Sequence, residues 1–305
     1  MGKFNLKSFV AMATILLFSS CLKKEEIIGT YSHQTNIIKP GDIIVSNGNS
    51  DSLILLDATG EYKKTLYDVD NISETISGIA YKPDTKEIIF TVTGAALRVG
   101  AVSIIDGSYR NFIINVSLTT PLRGVAVMTD GNVLVTHAGI IQKFSTDGTR
   151  ITAGAWPKTL MGTPQQISAL PNGGFLNCSD TTDLVRTYDS AGVQTGTSAA
   201  SGIAATTDVF ACMRLSDGRI ANAWNGTTDT ISVWNSDFTG RVNIYADTSV
   251  LGNPRGIAQR ANGNLLITDA TNNYIVEIDI DGNFINKLGG SILNGPTSIF
   301  VMPNY

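Results

Sequence analysis

The chain has 305 residues, 43% hydrophobic and 16% charged, with 30 glycines, so it can bury the core of one large domain or two small ones and is not a disordered acidic chain. Its 22 basic and 26 acidic side chains give a net charge of −4, with no Lys or Arg run beyond pairs. That balance argues against binding nucleic acid through phosphate neutralisation.

The chain opens on MGKFNLK, with Lys3 and Lys7 and no acid, then an uncharged run that ends at Cys21. This pattern predicts a secretory signal, too short for a membrane span. Its end, Leu17-Phe18-Ser19-Ser20-Cys21, resembles a bacterial lipobox, with Phe18 where Leu is usual. The resemblance implies cleavage before Cys21 and lipidation of its thiol. The alternative is an ordinary cleaved signal with a chance cysteine. Residues 1–20 then form the signal, 21–37 the lipidated N-terminus and tether, and 38–305 the folded domain. Leu22 is not the Asp that retains many lipoproteins in the inner membrane, and Lys24-Glu25-Glu26 resembles a surface-export signal of some Bacteroidetes lipoproteins. The expected location is the bacterial cell envelope, as an outer-membrane lipoprotein, periplasmic or surface-exposed. Removing Lys3 and Lys7 leaves 20 basic against 26 acidic side chains.

From residue 38 one turn recurs, as KPGD, KPDTKE, MTDGN, LPNGG, LSDGR and RANGN. Its positions 41, 86, 131, 173, 218 and 263 are spaced by 45, 45, 42, 45 and 45 residues. Each turn separates two apolar strand-like runs, such as RGVAVM and NVLVTH. A second series of turns, from DATG at 57–60 to DIDG at 279–282, separates a third run from a fourth. Fourth strands are predicted at 62–67, 111–116, 150–155, 193–197, 241–246 and 284–289. Four short antiparallel strands per period of about 45 residues predict a β-propeller blade. Six periods predict an all-β, six-bladed propeller. The chain starts on a second strand and ends on a first strand, so the C-terminal run at 297–302 should complete the N-terminal blade and close the ring.

The runs GIA (78–80), GVA (124–126) and GIA (256–258), and ITDATNNYIVEIDIDGNFI at 267–285, resemble NHL repeats and SMP-30-like six-bladed propellers. The resemblance covers nearly the whole mature chain as architecture and implies two functions. One is a ligand- or protein-binding scaffold. The other is a calcium-dependent lactonase, in which a Glu, two Asn and an Asp converge in the central channel. The residues leading into the innermost strands include Glu74, Ser77, Arg123, Gln165, Gln166, Asp208, Asn253, Arg255 and Asn294. Glu74 and Asp208 can share a calcium ion with Asn253. Arg123 and Arg255 at the same mouth oppose a divalent cation, and mixed charge favours a polar ligand. The binding-module reading is therefore preferred, with a protein, peptide or glycan as partner, and no catalytic set or metal site is assigned.

The loops between second and third strands, such as NGNSDS and DATNNY, share that face. Asp269, Asn272 and Asn273 are the candidate ligands there, although Asn and Asp also build turns by bonding their own backbone. DIDGN, which looks like part of a calcium loop, has Gly282 fourth and Gly290 at position twelve, so it is no EF-hand. His33 and His137 are too few for a zinc hydrolase, and His137 reads as a strand-end residue making one hydrogen bond. No GxSxG elbow or phosphate-binding loop occurs. Trp224 and Trp234 sit in strands and read as core, whereas Trp156, before Pro157, reads as an exposed contact. Cys178 and Cys212 lie in apolar runs and read as buried thiols, which an exported protein could also pair.

Overall fold

Gly41, Lys86, Gly131, Gly173, Gly218 and Gly263, the spaced turn positions, all have positive φ, from 54° at Lys86 to 94° at Gly263. Five of them join an innermost strand to the second strand of the same blade, and Gly41 leads into β1 with its N donating to Met302 O at 2.8 Å. The computed structural model describes residues 36–68, 74–94, 97–114, 118–119, 121–154, 156–160, 162–198 and 208–304. The segment predicted as a signal, Cys21 and His33 lie outside the described residues. Residues Ile37–Tyr305 form one compact unit.

Six antiparallel sheets make up this unit. Blade 1 holds β1 (Ile43–Asn47), β2 (Ser52–Leu56) and β3 (Tyr62–Asp68). Blade 2 holds β4 (Thr75–Lys82), β5 (Glu87–Thr93), β6 (Arg98–Ser103) and β7 (Tyr109–Ile114). Blade 3 holds β8 (Leu122–Val127), β9 (Val133–His137), β10 (Ile140–Phe144), β11 (Arg150–Ile151) and β12 (Lys158–Thr159). Blade 4 holds β13 (Pro164–Ala169), β14 (Phe175–Ser179), β15 (Leu184–Tyr188) and β16 (Gln194–Thr197). Blade 5 holds β17 (Asp208–Arg214), β18 (Ile220–Asn225), β19 (Thr230–Trp234) and β20 (Val242–Tyr245). Blade 6 holds β21 (Pro254–Gln259), β22 (Leu265–Asp269), β23 (Tyr274–Ile278) and β24 (Phe284–Leu288). The last strand, β25 (Pro296–Val301), pairs with β1 from Ile43↔Val301 to Ser46↔Ser298 and completes blade 1. The ring closes by ordinary strand pairing, as the chain ends predicted.

The second strands are buried on both faces, because each lies in the middle of a sheet flanked by two other blades. The fourth strands are largely exposed at the rim. Apolar side chains from adjacent blades interlock, as where Ile44, Leu53 and Leu55 of blade 1 meet Ile76, Ile88 and Phe90 of blade 2.

The glycine of the Gly-Ile-Ala runs has a steric origin. A Cβ on Gly78 would stand 2.5 Å from Arg123 O and 2.6 Å from Val125 N of the next blade. On Gly124 it would stand 2.7 Å from Gln165 O and 2.9 Å from Ile167 N. The innermost strands converge on the axis and leave no room there for a side chain. A hydroxyl on each neighbouring second strand completes the contact. Thr91 Oγ1 accepts from Gly78 N (2.7 Å) and donates to Arg123 O (2.8 Å). Thr136 Oγ1 accepts from Gly124 N (2.6 Å) and donates to Gln165 O (2.9 Å). Ser46 Oγ accepts from Ser298 N (2.8 Å) and donates to Ser77 O (3.3 Å). Each hydroxyl therefore ties its own blade to the next.

Two expectations need correction. The fourth strand predicted at 150–155 is split into β11 and β12, both paired with β10. Trp156 lies between the two and is buried rather than exposed. Its ring packs 6.1 Å from that of Phe175 in blade 4, and the ammonium groups of Lys143 and Lys158 lie over it. Between β11 and β12 the chain carries the indole into the apolar cluster with Phe175 and Tyr188, where its burial is favourable. Trp224 and Trp234 are buried, as expected.

Candidate functional site

Six innermost strands start around one narrow mouth. Its cavity of about 150 Å³ is lined by Ser77, Arg123, Gln165, Gln166, Phe210 and Arg255, among others. The Arg255 guanidinium lies 3.7 Å from the centre of the Phe210 ring, a cation–π contact, and its Nε donates to Asn253 Oδ1 at 2.8 Å. Asn225 Nδ2 donates to the same oxygen at 2.8 Å. Asn253 therefore orients Arg255 rather than facing the mouth with a free oxygen. Gln165 is buried and donates from Nε2 to Asp180 Oδ2 at 2.5 Å.

The mouth carries charge of both signs. Burial lowers the pKa of Arg255, and the like charge of Arg123 lowers it further, whereas Asp208, Asp180 and Asp229 raise it. Partial desolvation and the neighbouring Asp180 hold the Asp208 carboxyl above its ordinary range, against the pull of Arg255. Asp183 is raised by desolvation and by Asp208 and Asp180. Neither Arg123 nor Arg255 forms an ion pair with a carboxylate among the described residues. Three buried polar atoms have no hydrogen-bond partner there: Arg123 Nε, Gln166 Oε1 and Asp180 Oδ1.

Glu74, Asp208 and Asn253 do not form the cation site considered from the sequence. Glu74 is nearly buried and clamped by Arg98, with Nη1 donating to Oε1 at 2.9 Å and Nη2 to Oε2 at 2.6 Å. Tyr67 OH accepts from the same guanidinium at 2.9 Å, and the Arg98 pKa is raised, first by its bond to Glu74. A bidentate arginine neutralises the carboxylate, and Asn253 Oδ1 already accepts two bonds, so two of the three ligands are committed elsewhere. No cluster of three or more His, Cys, Asp or Glu side chains suited to a metal occurs among the described residues.

The loop candidates brace the backbone. Asp269 is fully buried. Its Oδ2 accepts from Gly252 N (2.7 Å) and Asn272 Nδ2 (2.8 Å), and its Oδ1 from Thr271 N (3.1 Å) and Asn272 N (3.0 Å). Asn273, at φ 60°, accepts from Gly295 N at 2.7 Å. Asn294 is exposed in the segment leading into β25, and its N donates to Asn47 Oδ1 at 2.5 Å. His137 ends β9 as expected, its Nδ1 accepting from Thr119 Oγ1 at 2.9 Å, and burial lowers its pKa.

Sequence reasoning passed over Asp180, Asp183 and Phe210 as individual site residues. Asp180 and Asp183 lie in SDTTDL, a loop recognised only as a member of the polar set. Phe210 stands in the poorly matched fifth repeat, where the other blades suggested no aromatic. The larger cavity, about 720 Å³, opens at the opposite end of the axis, among the turns between first and second strands. It is largely apolar, with Ile79, Tyr81, Val127, Met213 and Val301 among its walls, and Gln166 lines both cavities.

No family model and no curated protein sequence matches the chain. Solved structures do match in shape. A chain of the nidogen/laminin complex superposes with a TM-score of 0.71 at 16% identity, covering 86% of this chain and 98% of that one. A protein of unknown function from Bacteroides caccae gives 0.61 at 18% identity, covering 86% and 98%. A gluconolactonase from Xanthomonas campestris gives 0.60 at 13% identity, covering 87% and 92%. At these identities the likeness is one of fold.

Proposed function

We propose that the chain is a lipid-anchored protein of the bacterial cell envelope, held by Cys21, whose propeller binds a polar protein, peptide or glycan at the narrow mouth. The observation that carries this reading is the pair Arg123 and Arg255 beside Asp180 and Asp208, with neither arginine in an ion pair among the described residues. Like charges held near one another in a partly desolvated mouth reduce stability, and a ligand bearing both signs of charge relieves that. The mouth also sits where propellers commonly bind, on loops carried by a rigid ring. The matches to a chain of the nidogen/laminin complex and to a gluconolactonase agree with either a binding or a hydrolytic use of the fold.

Capture from solubilised envelope material, comparing wild type with Arg255→Ala of matched circular dichroism, tests the binding surface. A component held by the wild type and lost by the variant supports the mouth. Equal retention of every component rejects it. The anchor has its own test, since Cys21→Ala should move the protein out of the membrane fraction. The hydrolase alternative predicts calcium-dependent lactone turnover that Asp208→Asn abolishes, an outcome that would sink the binding-module reading.

A further inference from the structure

Blades 4 and 5 lack the second-strand hydroxyl that the other blades carry. The hydroxyl residue stands five positions after the positive-φ turn residue: Ser46, Thr91 and Thr136 bridge to the next blade, and Thr268 accepts from Gly256 N of its own blade at 2.8 Å. In blade 4 the equivalent is Cys178, and in blade 5 it is Ala223. Cys178 is fully buried, as is Cys212 on the innermost strand of blade 5, and burial together with Cys178 raises the pKa of the Cys212 thiol. Both sulfurs also lie against one acceptor, Gln166 O, at 3.5 Å from Cys178 and 4.0 Å from Cys212. The two belong to a single apolar cluster with Leu176, Val209 and Trp224, drawn from both blades.

The surroundings are under-satisfied. Asn222 pairs in register with Cys212 and is fully buried, yet neither its Oδ1 nor its Nδ2 has a partner among the described residues. The equivalents of Asn177 and Asn222 in the other blades are Val45, Phe90, Val135 and Ile267. At this place the ring thus has two thiols instead of a second-strand hydroxyl, and Ser168 Oγ of blade 4 donates to Cys212 O of blade 5 at 3.1 Å.

We propose that Cys178 and Cys212 form a disulfide that joins blade 4 to blade 5 where other blades carry a second-strand hydroxyl. The oxidant is a second disulfide, from a protein or from glutathione. One cysteine loses its proton, and its sulfur attacks that disulfide, releasing one oxidant thiol and leaving a mixed disulfide. The second cysteine sulfur then displaces the remaining oxidant sulfur. Two cysteine thiols are oxidised by two electrons, one oxidant disulfide becomes two thiols, and the two protons end on them. In the folded chain both thiols are out of solvent, so the exchange occurs before the two blades close. The bond also bears on the channel. It removes two donors from Gln166 O and leaves Asn177 Nδ2 at 3.1 Å, at the residue shared by the two cavities. The cell-envelope reading bears only on where the oxidant comes from.

The test is a thiol map of the full chain. Protein refolded from urea with oxidised and reduced glutathione is denatured in maleimide and digested. The expected result is a Cys178–Cys212 cross-linked peptide pair, absent after reduction. The urea midpoint of the oxidised form should lie above that of the reduced form, and in Cys212→Ala the Cys178 peptide should carry maleimide. Protein taken directly from envelopes into maleimide should give the same map, which removes any dependence on refolding. Maleimide on both cysteines of folded, oxidant-treated wild type overturns the proposal, as does a bond from either to Cys21. Maleimide on Cys21 itself rejects the lipid anchor and leaves the proposed disulfide untouched.

Discussion

A polar residue at the end of a second strand has the same task in three blades. Asn47, His137 and Asp269 each follow the second-strand hydroxyl by one position, and each accepts from the segment that leads into an innermost strand. Burial makes these bonds costly to lose, because an orphaned backbone donor has no water to turn to. Asp269→Ala removes an acceptor of four bonds and should lower stability by about 2–3 kcal/mol, seen as a lower urea midpoint with an unchanged slope. Lys86 is the exception among glycines at the repeated turn, with φ 54°. Relief of its left-handed strain should let Lys86→Gly raise stability by about 0.5–1 kcal/mol in the same assay. Turn aspartates set the acid limb. Asp57, Asp147, Asp237 and Asp279 are lowered first by bonds from neighbouring side chains, and Asp106 is lowered to about 2, first by the Ser108 amide. Their folded pKa values lie below the unfolded ones, so their contribution is complete above about pH 4 and is lost as pH falls toward 2. Urea melts between pH 6 and 2 should show that decline, and Asp106→Asn should make it shallower. Asp183, Asp208 and Asp229 have the opposite sign, since their raised values mean that ionisation costs stability.

The blade is the unit in which the glycine of Gly-Ile-Ala acquires meaning. In an isolated sheet, alanine at Gly124 would be tolerated. In the ring, its Cβ would meet the Gln165 carbonyl and Ile167 amide of the next blade, both backbone and unable to yield. Gly124→Ala should cost about 1–3 kcal/mol through overpacking, measured by thermal or urea unfolding. The four-strand rhythm was legible because turn glycines and apolar runs are local signals. The split fourth strand of blade 3 was not, because burial of Trp156 depends on Phe175 and Tyr188 of another blade. A tryptophan beside a proline looks like a loop residue until its neighbour blade is present.

Across the whole molecule, β25 supplies the bonds that close the ring. Without it β1 would expose an unpaired edge, and Ser46 would lose its partners Ser298 and Thr297. A chain ending at residue 295 should therefore lose cooperative unfolding, measured by circular dichroism and by hydrogen exchange in blade 1. Closure also creates the mouth. Arg123 comes from blade 3, Gln165 from blade 4, Phe210 from blade 5 and Arg255 from blade 6, and they meet only because the ring is complete. Of the predicted site residues, Arg123, Gln165, Arg255 and Asp208 come together around it. Glu74 is diverted by Arg98, which starts the third strand of its own blade, and Asn253 by Arg255.

Strand order, turn positions, blade number and the route of closure were determined by the sequence alone, because each depends on residues a few positions apart repeated along the chain. Which polar residues stay available was decided by tertiary structure. Asp269 and Asp180 both lie in Asp- and Thr-rich loops that read alike as text. The carboxylate of Asp269 is filled by amides from its own blade, whereas Asp180 keeps an unpartnered oxygen beside the charges of other blades. Hydrogen-bond saturation and charge proximity are set by distances between blades, and no local pattern records them.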